Sequence, residues 1–148
     1  MGGRYGADEA WYERWPLDPR QVDSGFQVFG GDVIRGSITQ VSGSASDWRV
    51  SVTETGTGAT WSRVVRYSAL LEGPDFVVED PGLPRGTGLM SLPRWGSVAF
   101  LQMQIRVGRT WRQAGAFSAI RIDMMRHGKT LATAGPLRAG SGFIATQR

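Results

Sequence analysis

Apolar and polar residues alternate with a period of two along most of this chain. Trp48, Val50 and Val52 alternate with Arg49, Ser51 and Thr53, which predicts a strand with one buried face. Phe26 and Val28 flank Gln27 ahead of a turn at Gly30-Gly31-Asp32, and Ile34, Gly36 and Ile38 then alternate with Arg35 and Ser37. Thr55-Gly56-Thr57-Gly58 breaks the next pair of strands. The second of that pair puts Trp61, Arg63, Val65 and Tyr67 on one face and Val64 and Arg66 on the other. Phe76 to Glu79 predicts a short strand stopped by Pro81-Gly82. Ala99, Leu101, Met103, Ile105 and Val107 line one face of the longest run; Ile120, Ile122 and Met124 line a further strand, and His127-Gly128-Lys129 predicts a hairpin tip. No window of about 11 residues carries helical spacing. Many short strands between glycine turns predict an all-β fold, a sandwich or a barrel. The Gly- and Pro-rich stretch from Pro81 to Pro93 predicts a surface loop of the kind that borders sites.

Composition narrows this picture. The 148 residues suit one domain spanning 1–148. They include 21 glycines and only 33 Leu, Ile, Val and Phe, so the core is thin and the turns many. Of six tryptophans, Trp48, Trp61, Trp95 and Trp111 alternate with polar neighbours and are expected in core or inter-sheet packing. The absence of cysteine removes disulfides, thiol nucleophiles and Cys-based metal sites. His127 is the single histidine, which rules out a multi-His metal site and argues against a Ser–His triad. No metal or cofactor is expected. The net charge is +4, carried by scattered arginines without a basic stripe or a nucleic-acid-binding signature, so no nucleic-acid partner is expected. No long apolar run predicts a membrane span. Met1 to Gly6 has no apolar stretch of the signal-peptide kind.

Two groups of residues invite a chemical reading. On an extended strand, Glu9, Trp11, Glu13 and Trp15 share one face, while Tyr12 and Arg14 point the other way. Burying two unpaired carboxylates would cost on the order of several kcal/mol, so this face does not suit a plain core. It suits a wet cleft that grips an extended ligand, or else an ordinary solvated strand face. Glu79 shares its parity with Val77 and Asp75, with Phe76 and Val78 opposite. A carboxylate on an otherwise apolar strand is placed to exchange protons with a ligand, or else simply meets solvent.

Several motifs resemble one family. Glu9-Ala10-Trp11-Tyr12-Glu13-Arg14-Trp15-Pro16 is similar to the "D-A-W-Y-E-x-Y-P" strand of the glutamic peptidases, also called eqolisins or peptidase family G1. Gly31-Asp32-Val33-Ile34, the turn from Thr53 to Gly58, Phe76-Val77-Val78-Glu79-Asp80 and Trp95-Gly96-Ser97-Val98-Ala99-Phe100 resemble further family motifs, in the family's order. The resemblance implies a lectin-like sandwich of two antiparallel sheets whose concave face binds peptide. It implies acid-acting cleavage without a metal by a Gln–Glu dyad. Glu79 would be the glutamate that activates water, and Glu9, Trp11, Glu13 and Trp15 would bind substrate. It also implies secretion and a peptide or protein substrate. The family's glutamine precedes the "A-W-Y-E" motif, and none of Gln21, Gln27, Gln40, Gln102, Gln104, Gln113 or Gln147 matches it. The expectation is therefore a chain lacking the N-terminal part of the domain and nearly inactive alone. Two alternatives stay open. One is a non-catalytic binding module for peptide or carbohydrate; the other is a pseudoenzyme that keeps the cleft.

Overall fold

The computed structural model describes residues 10–14, 20–21, 26–68, 73–79 and 94–148. The chain falls into two compact units, Met1–Leu71 and Glu72–Arg148. In the first, β1 (Trp11–Tyr12) pairs antiparallel with β2 (Arg20–Gln21). A three-stranded antiparallel meander follows, formed by β3 (Ile34–Gln40), β4 (Asp47–Glu54) and β5 (Thr60–Arg66), with β4 in the centre. Register assigns the faces. Trp48 lies opposite Val65, and Val52 opposite Trp61, on the apolar side. Ser51 lies opposite Ser62 and Thr53 opposite Thr60 on the polar side, where the paired hydroxyls are 2.8 and 2.9 Å apart. The Gly30-Gly31 turn forms as expected. Asp32 closes it, its amide bonding the Phe29 carbonyl and its carboxylate accepting the Phe29 N–H at 2.8 Å. Tyr12, Phe26 and Val65 are the buried apolar side chains among the described residues of this unit.

Among the described residues, the second unit holds a four-stranded antiparallel sheet, a two-stranded hairpin and one turn of 3₁₀ helix. The sheet contains β6 (Ser97–Phe100), β9 (Met124–Arg126), β10 (Lys129–Ala134) and β11 (Phe143–Gln147), in the order β6-β11-β10-β9. The hairpin is β7 (Gln104–Val107) with β8 (Thr110–Gln113), and the 3₁₀ turn spans Ala114–Ala116. Phe100 stacks on Phe143, its register partner, at 4.6 Å. The β9–β10 tip is the expected His127-Gly128 turn. Both residues have positive φ (49° and 75°), as the tight hairpin turn that matches strand twist requires.

Four sequence expectations are corrected here. The run from Ala99 to Val107 is two strands in two different sheets. Gln102 takes φ 52° between them, so the parity breaks, leaving Leu101 70% exposed and Met103 buried. Ile120 and Ile122 lie on no strand and are 87% and 78% exposed. The ladder stops at Met124 because the Ala134 N–H goes to the Asp123 carboxylate at 3.0 Å rather than to a backbone carbonyl. Residues 73–79 run without regular secondary structure, since an alternating pattern forms a strand only where a neighbour supplies hydrogen bonds. Trp111, on the two-stranded hairpin, is exposed rather than packed. The stretch 81–93 lies outside the described residues.

Gly115 marks one of the tightest approaches in this unit. Its N–H bonds the Gly140 carbonyl at 2.6 Å, and a Cβ there would stand 2.8 Å from the Gly140 backbone. Gly115→Ala is therefore expected to cost about 1–3 kcal/mol by overpacking. Gly36→Ala, where a Cβ meets nothing within 4 Å, should be near neutral. Thermal denaturation of the two variants checks this, and equal melting points would contradict it.

Candidate active site

Strand β1 carries the first part of the site. Its two residues alternate as their parity demands: Trp11 is 59% exposed and Tyr12 only 9%. Glu13 is exposed with Trp11, whereas Arg14 is half-buried and donates to the Arg66 carbonyl at 3.4 Å. Tyr12 is fixed by stacking on Trp61, with ring centroids 5.5 Å apart and 29° between planes. Trp61 belongs to the apolar face of the meander, so the ring contact anchors the strand and turns Trp11 and Glu13 to solvent. The indole and the carboxylate thus stand together on one open face, able to meet an extended ligand by apolar contact and by hydrogen bonding. Glu9 and Trp15 lie outside the described residues.

Glu79 belongs to the second unit. It closes the irregular segment 73–79 and is exposed, as is Val77, while Val78 is half-buried. Its carboxylate is open to water and to any ligand that reaches it. The structure brings Trp11 and Glu13 to one face, and it places Glu79 on a separate segment of the other unit.

Sequence reading missed one carboxylate. Glu54, at the end of β4, is the sole buried charged side chain among the described residues. Its Oε1 accepts the Gly56 N–H at 2.6 Å, and its Oε2 accepts the Thr57 N–H and hydroxyl at 2.6 and 2.5 Å. The Thr57 hydroxyl, then the Gly56 and Thr57 amides, hold this carboxyl below the usual glutamate value, against a weaker opposing effect of burial. The available signal was a carboxylate immediately ahead of Thr-Gly-Thr, able to fold back on its own turn. Gln147 is the last of the seven glutamines. It sits on the central strand β11 and accepts the Trp95 N–H at 2.9 Å.

Among the described residues no group of three or more His, Cys, Asp or Glu could hold a metal ion. No helix among them is long and apolar enough to cross a membrane.

A family model described as the Peptidase A4 family matches residues 4–144. Among solved structures, the crystal structure of aspergilloglutamic peptidase from Aspergillus niger is similar, with a TM-score of 0.73 and 23% sequence identity. The match covers 95% of this chain and 79% of that one. Comparison with curated proteins finds no match. The structural likeness carries the fold, an all-β architecture of the antiparallel sandwich class expected from the sequence.

Proposed function

We propose that this chain, which belongs to the Peptidase A4 family, the family of the glutamic peptidases, hydrolyses peptide bonds in acid with Glu79 as the proton-transferring carboxylate. The observation that carries this reading is the extent of the family match. Residues 4–144 enclose both the Glu9–Trp15 strand and the Val78-Glu79-Asp80 motif. As a peptidase it acts on peptide or protein substrates.

In the proposed step the Glu79 carboxylate takes a proton from water. The hydroxide so formed adds to the peptide carbonyl carbon, and the carbonyl oxygen becomes an oxyanion. The protonated Glu79 then gives its proton to the amide nitrogen, the C–N bond breaks, and the carboxylate is restored. In the resembling family a glutamine amide stabilises the oxyanion, a contribution on the order of 10²–10³ in rate; none of the seven glutamines here stands in that motif's place, so cleavage by this chain is expected to be slower by about that factor. Trp11 and Glu13, with Glu9 and Trp15, would hold the extended substrate. The positions of Trp11 and Glu13 on one open face support that role. Secretion fits an enzyme that works in an acidic medium outside the cell.

The exposure of Glu79 supports a second reading, a peptide-binding pseudoenzyme. Incubation of the full chain with a denatured protein between about pH 2 and pH 7, with fragments read by mass spectrometry, separates the two. Fragments confined to the acidic range support the peptidase. Binding of the same substrate with no fragments at any pH would leave only the pseudoenzyme.

A further inference from the structure

We propose that Glu54 is an acid latch, a carboxylate closed by its own turn that holds one end of the β3–β4–β5 sheet together into acid and releases it on protonation. The mechanism proposed for Glu79 makes no use of this group, and the inference stands independently of it. Glu54 is 5% exposed, covered by the turn it closes. Gly56 comes so near that a Cβ there would stand 3.0 Å from Glu54 Oε1.

The same turn ties three strands. The Glu54 amide bonds the Ala59 carbonyl, and the Gly58 amide bonds the Glu54 carbonyl, closing β4 onto β5. The Thr55 amide and hydroxyl both donate to the Val33 carbonyl, at 2.9 and 3.0 Å. Val33 leads directly into Ile34, the β3 partner of Glu54. The carboxylate bonds Gly56 and Thr57 and so braces the turn from which these bonds are made.

Protonation works against that turn wherever the proton goes. On Oε1 it sets an O–H against the Gly56 N–H, and on Oε2 it sets one against the Thr57 N–H. Either way a charge-assisted bond from a backbone donor of the turn is weakened or lost. Because the folded carboxyl titrates below its unfolded value, the stability it gives is fully present above the unfolded value. That stability is lost as pH falls through the lower folded one. The charged residues nearest it by strand register are Asp32 and Arg35 at the start of β3 and Arg63 on the same face of β5. None of them shapes its titration, which is set by Thr57 and Gly56.

The test follows the Gly56 and Thr57 amide resonances of the full chain by NMR through an acid titration, with Trp48 and Trp61 fluorescence reporting the sheet. Both amides are expected to shift together with a midpoint below 4.5, the unperturbed glutamate value. The fluorescence change should follow at the same or lower pH. Glu54→Gln should abolish the amide transition and weaken the sheet already at neutral pH. Thr57→Val removes only the hydroxyl donor, and so stays informative if Glu54→Gln fails to fold; it should move the midpoint upward. Amides that titrate at or above 4.5, or a Thr57→Val midpoint equal to that of the parent chain, would overturn the assignment. So would a Glu54→Gln acid transition identical to that of the parent.

Discussion

Replacing Glu79 by glutamine is expected to lower acid-pH cleavage by about 10²–10⁴-fold, the range a positioned proton-transferring side chain contributes. The substitution keeps shape and polarity, and it removes the ability to take and return a proton at the reacting bond. The location of Glu79 makes the experiment clean. The segment from Gly73 to Glu79 is exposed apart from Val78, so the carboxylate has no packing role to lose. Thermal stability should stay within about 0.5 kcal/mol of the parent chain. The loss should fall on kcat, with KM little changed, because the residues proposed to grip substrate are elsewhere. Steady-state kinetics at acidic pH, beside a melting curve, separates the terms. A variant that cuts as fast as the parent would remove Glu79 from the mechanism. A rate loss that only tracks a loss of folded protein would do so too.

The strands that were legible in the sequence are those whose partners are local. β3, β4 and β5 follow one another through short turns, so alternation and glycine position together fix both strand and register. The β9–β10 hairpin was legible for the same reason, from His127-Gly128. Alternation misled where the partner was distant. The Ala99–Val107 run reads as one strand, yet β6 finds its neighbour in β11 and β7 in β8. The left-handed turn at Gln102 that separates them carries no glycine to announce it. Strand β11 itself passed unnoticed, although it is central in its sheet. Phe143, Ala145 and Gln147 give it too mixed a face for a periodicity argument. In the candidate site, the parity of Trp11, Tyr12 and Glu13 was readable because a strand of any length obeys it. The Glu54 turn was not, because a carboxylate that bonds its own turn looks, in a sequence, like one that meets water.

That parity yields the sharpest contrast on the molecule, between two adjacent aromatic residues. Tyr12→Ala is expected to destabilise the first unit by about 3 kcal/mol, since it deletes a buried ring stacked at 5.5 Å on Trp61. That is roughly a hundredfold in the folding equilibrium. Trp11→Ala should leave stability within about 0.5 kcal/mol, because more than half of that side chain already faces water. Its effect belongs to binding. An aromatic anchor in a ligand interface typically contributes about 2 kcal/mol, so peptide affinity should drop by about thirtyfold. Melting curves and peptide titration by fluorescence, run on both variants, give four numbers that must form a cross. Stability falls for Tyr12 and affinity for Trp11. If Trp11→Ala were the more destabilising change, the strand would present its other face to solvent. Glu9, Glu13 and Trp15, which share the parity of Trp11, would then be directed away from substrate, and the proposed grip on an extended peptide would have no residues left to make it.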